Sequence, residues 1–384
     1  MNSARLKPLV HRPSVVIAGL TVIAILAFVS VGRLASRFRE QQKALARRLY
    51  ARGLDEQRSG HSDLAIEDFR TALGYNRDEF QYQLSLARAL RDTGRTDEAE
   101  AYLVSLWERA PQDGAVNLAL GRLAAREGTI DKAIQYYHNA IYGVWGPNQD
   151  ANRRNARFEL IDFLLGKGAR PQAEAELITL AAELPPDPAL ELRAAQLLIR
   201  AQDYERALKQ YQKILQREPS STVALAGAGE AAFRLGRYRA ACAYLRTAAA
   251  SNPQDAQTQQ LLETCNLILQ ADPSRRGLSN AERRRRLRAA FDQAGQRLAS
   301  CASSQAARAA DPSVGAALAS LKSDWMRLKP RVEASATTVR ADTADTAMDL
   351  VFQIEQQTQQ QCGPPAGLDQ ALLLLSQVRG GVDR

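Results

Sequence analysis

The sequence predicts an all-α protein in three parts: an apolar N-terminal span, an array of helical repeats, and a C-terminal helical bundle. Three observations carry this reading. Residues 14–32 form an uncharged apolar stretch, small and apolar residues recur every 34 positions over about 200 residues, and Ala, Leu, Arg, Gln and Glu dominate the composition. These residues favour helices, and a constant period of this length marks stacked supersecondary units.

The first part begins with a tail over 1–13. Ser14 to Gly32 follows, nineteen residues without a charge, bracketed by Arg12 and Arg33. As a helix it would reach roughly 28 Å, about the thickness of a hydrocarbon core. A cleaved signal peptide would need a cut at Ser30-Val31-Gly32 with Arg33 following, and its apolar region would be unusually long. An uncleaved transmembrane anchor is therefore expected. Residues 33–45 read as a basic juxtamembrane linker.

The formal charge is +9, of which residues 1–50 supply +8, so the basicity belongs to the flanks of the apolar segment. There it meets lipid headgroups, and a general nucleic-acid role has no support.

The repeats come next. Gly60, Gly94 and Gly128 are spaced by 34, as are Ala65, Ala99 and Ala133, and Phe69, Leu103 and Tyr137. A second series, Ala173, Ala207 and Ala241 with Pro185, Pro219 and Pro253, keeps the step but is displaced by six residues around 143–148. Six repeats result: 46–79, 80–113, 114–147, 154–187, 188–221 and 222–255. Small residues let paired helices approach, glycine suits the turn between them, and proline stops the second helix.

This pattern resembles the tetratricopeptide-repeat (TPR) family. Position 8 is Gly53, Ala87, Gly121, Ile161, Ala195 and Gly229; position 24 is Phe69, Leu103, Tyr137, Leu177, Tyr211 and Leu245. Position 4 never carries the family's Trp, and Ile161 predicts looser packing in repeat four. The resemblance implies a right-handed α-superhelix (an α-solenoid) that holds another protein. Its concave surface would be lined at positions 2, 5, 9, 12 and 13 of each repeat. In the first three repeats these supply Arg47, Tyr50, Leu54, Arg58, Leu84, Arg88, Arg91, Leu118, Arg122 and Arg126. The later three supply Phe158, Asp162, Leu192, Arg200, Phe233 and Arg234. Apolar anchors mixed with Arg suit a peptide bearing acidic groups. The family's carboxylate clamp for chaperone tails is missing, since Tyr50, Leu54, Ser85, Ala115 and Ala119 occupy its positions.

A repeat stack needs an end cap, and residues 256–272 are expected to supply it. Beyond, residues 273–384 lose the period and read as a helical bundle. Helices are expected near 280–300, 312–328, 337–361 and 366–378. The first would carry Leu287, Phe291, Ala294 and Leu298 on one stripe, with an arginine-rich solvated face.

None of the four cysteines forms a CxxC pair, so zinc-ribbon or thioredoxin-like chemistry is unsupported. Cys242 and Cys265, at core-facing repeat positions, read as buried thiols. Cys301 and Cys362 end predicted helices and are a candidate disulfide, which would place the soluble part outside the cytosol. The six bases that follow the span argue the opposite orientation.

The only histidines are His11, His61 and His138, with no metal-ligand or nucleophile motif around them. The expected function is thus a non-enzymatic adaptor at a bacterial-type inner membrane, its soluble part periplasmic. It would bind a protein or peptide, with no cofactor, metal, nucleic acid or small-molecule substrate. A cytoplasm-facing TPR regulator of envelope-lipid synthesis is the alternative, although the cysteine-paired metal module of such proteins is missing. An enzyme seated in the bundle is the third reading.

Overall fold

The computed structural model describes residues 13–304, 312–333 and 341–382, in seventeen α-helices. The N-terminal tail, apart from Pro13, and the expected start of the third bundle helix at 337 lie outside the described residues. The chain divides into two units, residues 1–163 and 164–384.

In the first unit, α1 (Pro13–Arg58) is one uninterrupted helix of 46 residues. It contains the apolar segment, the basic stretch 33–45 and the first helix of repeat one. That basic stretch is a helical spacer of about 20 Å at 1.5 Å per residue. After α1 follow, in chain order, α2 (Ser62–Tyr75), α3 (Phe80–Asp92), α4 (Thr96–Arg109), α5 (Gly114–Glu127), α6 (Ile130–Tyr142) and α7 (Gln149–Gly166).

Odd-numbered helices open the repeats and even-numbered helices close them. The close approach inside a pair rests on position 8: a Cβ on Gly53 would lie 2.7 Å from the Phe69 ring, and one on Gly121 3.4 Å from that of Tyr137. The bulky residue at position 24 therefore sits on the glycine of its own repeat, and both members are buried.

The six-residue insertion is docked. Val144 donates its N–H to Gln112 O at 2.7 Å and accepts from Gly114 N at 2.8 Å, while Trp145 Nε1 donates to Ala140 O at 2.8 Å. Trp145 lies so close to Gly114 that a Cβ there would overlap the indole.

The second unit continues the repeats with α8 (Arg170–Glu183), α9 (Pro188–Arg200), α10 (Tyr204–Arg217), α11 (Thr222–Arg234) and α12 (Tyr238–Ser251), followed by α13 (Ala256–Ala271). Position 15 is left-handed in all six repeats: Gly60, Gly94, Gly128, Gly168 and Gly236 have φ of 71 to 83°, and Gln202 has φ 64°. Only glycine takes that conformation without a steric cost, which is why the turn repeats it.

The reading of Cys242 and Cys265 as separate thiols is corrected: they form a disulfide between α12 and α13. Position 21 of repeat six and position 10 of the cap face each other at a Cα separation of 5.8 Å, within bridging reach.

Four helices complete this unit: α14 (Asn280–Ser303), α15 (Pro312–Glu333), α16 (Ala341–Cys362) and α17 (Gly367–Val382). Leu287, Phe291, Ala294 and Leu298 are buried in their core. Trp325 stacks on Phe291 at 5.4 Å and donates to its carbonyl at 2.9 Å, in space that Gly295 leaves open. Arg283 and Arg285 of α14 are exposed, whereas Arg286 and Arg288 serve the fold. Arg286 donates to Leu269 O at 2.7 Å, and Arg288 to Val332 O at 3.2 Å, satisfying carbonyls near the ends of α13 and α15.

A second disulfide joins Cys301 to Cys362. The last helix, α17, returns to the repeats: Tyr238 Oη donates to Leu374 O at 3.3 Å, and Val378 covers Gly236. Within this unit the cap helix is itself covered, as a solenoid end requires.

Candidate functional site

The sixteen groove positions are not equivalent. Leu84, Leu118, Phe158 and Phe233 are buried to within 8% exposure. They are corrected from ligand anchors to packing residues, because each points into the stack. Leu54 is half-buried against the core of the first repeats, and Arg58 is exposed beside Asp55. In the second unit Leu192 is half-buried, Arg200 is exposed, and Arg234 lies 3.9 Å from Glu230 on its own helix. Asp162 is half-buried in the first unit.

What the first unit gathers is a set of arginines. Tyr50 stacks on Tyr82 at 4.4 Å and shares a hydrogen bond of 3.0 Å with Ser85, which makes one end of the surface rigid. Arg47 lies exposed near Tyr82. Next along α3 stand Arg88 and Arg91, and on α5 Arg122 and Arg126.

Arg122 is held by Glu159 through two bonds, Nε to Oε2 at 2.7 Å and Nη2 to Oε1 at 2.5 Å, and this pairing raises its pKa. Arg126 donates to the carbonyl of Arg91 at 2.7 Å. Arg91 is paired with Asp92, yet its Nη1 is buried without a hydrogen-bond partner.

Arg88 is different. It makes no hydrogen bond or ion pair with any described residue, and its Nε is buried. Burial, then the charges of Arg122 and Arg91, pull its pKa down, and Tyr50 and Asp113 oppose them more weakly. A half-buried guanidinium beside two others is poorly solvated and has no direct counter-ion, so an anion placed there would gain charge-assisted hydrogen bonds otherwise absent. Planar, bidentate geometry suits a carboxylate.

The spacing of 34 placed these arginines on one face. It did not point to Glu159, which lies at position 6 of its repeat and reaches back to position 9 of the preceding one. Ser85 also occupies position 6 and reaches back to Tyr50, so that cross-repeat relation was a signal available in the sequence.

Among the described residues, no group of three or more His, Cys, Asp or Glu could hold a metal ion. The second unit has an open cleft of about 410 Å³ lined by Gln293, Gln296, Arg297, Cys301, Cys362 and Asp369. Beneath it Arg297 donates to Thr358 Oγ1 and Gly363 O, both at 2.9 Å, and lies 3.3 Å from the buried Glu355 carboxyl. That network ties α14 to α16 and to the turn after it.

Family models described as tetratricopeptide repeat match residues 50–113, 87–146 and 198–265. Among solved structures the chain is similar to Pseudomonas aeruginosa pilF, with 16% identity, 57% of this chain and 97% of that one covered, and a TM-score of 0.42. The C-terminal part of a TPR protein from Cytophaga hutchinsonii shares 15% identity over 62% and 93% of the two chains, with a TM-score of 0.46. PilW, a type IV pilus biogenesis factor, shares 19% over 56% and 98%, with a TM-score of 0.43. With helix pairs at a 34-residue step, a left-handed residue at every position 15 and these family matches, the chain belongs to the tetratricopeptide-repeat family.

Proposed function

We propose that this protein is a membrane-anchored, non-enzymatic scaffold whose first three repeats capture a peptide segment bearing acidic side chains. Arg88 carries the reading: a half-buried arginine with no ion-pair partner, around which the charges of Arg122 and Arg91 outweigh that of Asp113, is suited to a carboxylate. Tyr50 and Arg47 extend the same face toward the N-terminus of the array.

The anchor is α1, the one helix among the described residues long and apolar enough to cross a bilayer. Two disulfides support an oxidising compartment for repeats and bundle, on the outer side of a bacterial inner membrane. They favour this side over the cytoplasm-facing alternative despite the bases that follow the span.

The test separates binding from folding. Arg88→Met keeps length and apolar packing and removes the charge, so the repeats should be as stable or more stable. Binding of a fluorescein-labelled peptide alternating Glu and Leu, followed by anisotropy, should weaken about tenfold or more. The Lys-Leu counterpart should not bind either protein. Unchanged affinity for the acidic peptide in Arg88→Met sinks the proposal.

A further inference from the structure

We propose that the part of α1 between the apolar segment and the first repeat is a pairing surface for a second copy of this chain, packed parallel. The proposal rests on residues 14–32 being a membrane span. Beyond Gly32, Leu34 and Phe38 are large apolar side chains exposed by 70% and 59% on the stretch of α1 before the repeats, and Leu45, at the edge of the repeats, is exposed by 40%. Together with Val31 and Gln41 they follow steps of three and four. At about 100° per residue they fall in an arc of about 80°. This is the a and d pattern of a two-stranded coiled coil, with one polar position that can set register.

The same register runs upstream through Ile17, Leu20, Ala24 and Ala27. Small residues at such positions let two membrane helices approach closely. The stripe thus continues from lipid into water without changing face, and an occupant that follows all of it must itself be a spanning helix.

Charge favours self-pairing. Arg33, Arg39 and Lys43 lie off the stripe, and Lys43 reaches Glu40 on its own helix at 3.3 Å. The flanking positions are Ser30, Ala35, Arg37, Gln42 and Ala44. In a parallel pair Arg37 of one copy stands opposite Gln42 of the other, so a basic helix meets itself without opposing like charges. Both copies leave the membrane on one side, which excludes the antiparallel arrangement.

The repeats leave room for it. The face of α1 that packs on α2 is formed by Ala46 and Gly53, both buried, with Tyr50, and is rotated roughly 120° from the stripe. Where the repeats begin, the next two stripe positions are Arg48 and Arg52, and Arg52 is bound to Asp68. Pairing would end there.

Lipid headgroups do not account for the whole stripe. At 1.5 Å per residue Phe38 stands about 9 Å and Leu45 about 20 Å beyond Gly32, whereas the headgroup layer is about 5–8 Å deep. Two aqueous heptads are few for a free coiled coil. Confinement in a membrane raises the effective concentration enough to make them sufficient.

Single cysteines introduced one at a time into the full chain, reconstituted in phosphatidylcholine vesicles and mildly oxidised, test the proposal. Disulfide-linked dimer should form several-fold more at Leu34→Cys, Phe38→Cys, Gln41→Cys and Leu45→Cys than at Ser36→Cys, Arg39→Cys or Lys43→Cys. A flat profile, or no dimer, overturns it. So does protection of Phe38→Cys from maleimide that needs phosphatidylglycerol in the vesicles, which would make lipid the occupant. Vesicle flotation reads the anchor separately, so failure to insert is distinguishable from failure to pair.

Discussion

Replacing Glu355 by Gln should stabilise the C-terminal bundle at pH 8 and leave it unchanged at pH 5. Glu355 has no exposed surface, and neither carboxylate oxygen has a hydrogen-bond partner among the described residues. Arg297 lies 3.3 Å away on α14, and that guanidinium also faces Asp369 of α17 at 3.9 Å. Two carboxylates share one cation. Burial first, then the charge of Asp369, push the Glu355 carboxyl up to about 8, while Arg297 opposes them.

The sign follows from proton counting. Between the ordinary carboxyl pKa and about 8, the folded chain holds a proton that the unfolded chain has lost, so stability falls as pH rises. Each pH unit in that window costs about 1.4 kcal/mol, giving roughly 3–4 kcal/mol between pH 5 and pH 8. Gln fills the same space and cannot ionise. The assay is hydrogen exchange read by mass spectrometry on peptides of α16 and α17, at pH 5 to 8 after correction for intrinsic exchange. Wild type should lose protection as pH rises, and Glu355→Gln should lose much less. An equal slope in both, or a less stable variant at pH 8, refutes the reasoning.

Two further outcomes are expected. Gln202→Gly relieves the single non-glycine residue in the left-handed turn position of the repeats, and should raise stability by about 0.5–1 kcal/mol even after losing the 2.7 Å contact from Arg170; a lower melting temperature would contradict this. Separate Cys→Ser pairs should cost about 3 kcal/mol for the 23-residue loop closed by Cys242–Cys265 and about 4 kcal/mol for the 61-residue loop closed by Cys301–Cys362. Intact-mass measurement after alkylation of unreduced, denatured native protein should find no free thiol, and free thiols at 301 and 362 would remove a ground for an extracytoplasmic soluble part.

Much of the fold was legible because its causes are local. A helix pair closed by a left-handed glycine repeats its residues at fixed spacing, so Gly60, Gly94 and Gly128 announced the turns before any contact was known. The bundle helices were legible for a similar reason: Leu287, Phe291, Ala294 and Leu298 form a helical stripe whose only use is burial. Less of the site was legible. The same position 5 that leaves Tyr50 and Leu192 half-buried carries Leu84, Leu118 and Phe158 inside the stack. Position within a repeat sets the direction of a side chain, and the neighbouring repeat determines how much of it is covered.

The sequence by itself determined that the chain is helical, that it repeats every 34 residues, and that one apolar segment precedes the repeats. Each of these follows from spacing along a single helix or helix pair. Only the tertiary structure decided that the apolar segment and first repeat share one helix, that Cys242 meets Cys265, and that α17 covers the cap. It also decided that Arg122 has Glu159 while Arg88 has no ion-pair partner. These depend on residues far apart in sequence meeting across packed helices, where the supply of counter-charges is a property of the assembled surface. The apolar segment is the first stretch of one continuous helix that ends inside the repeat array.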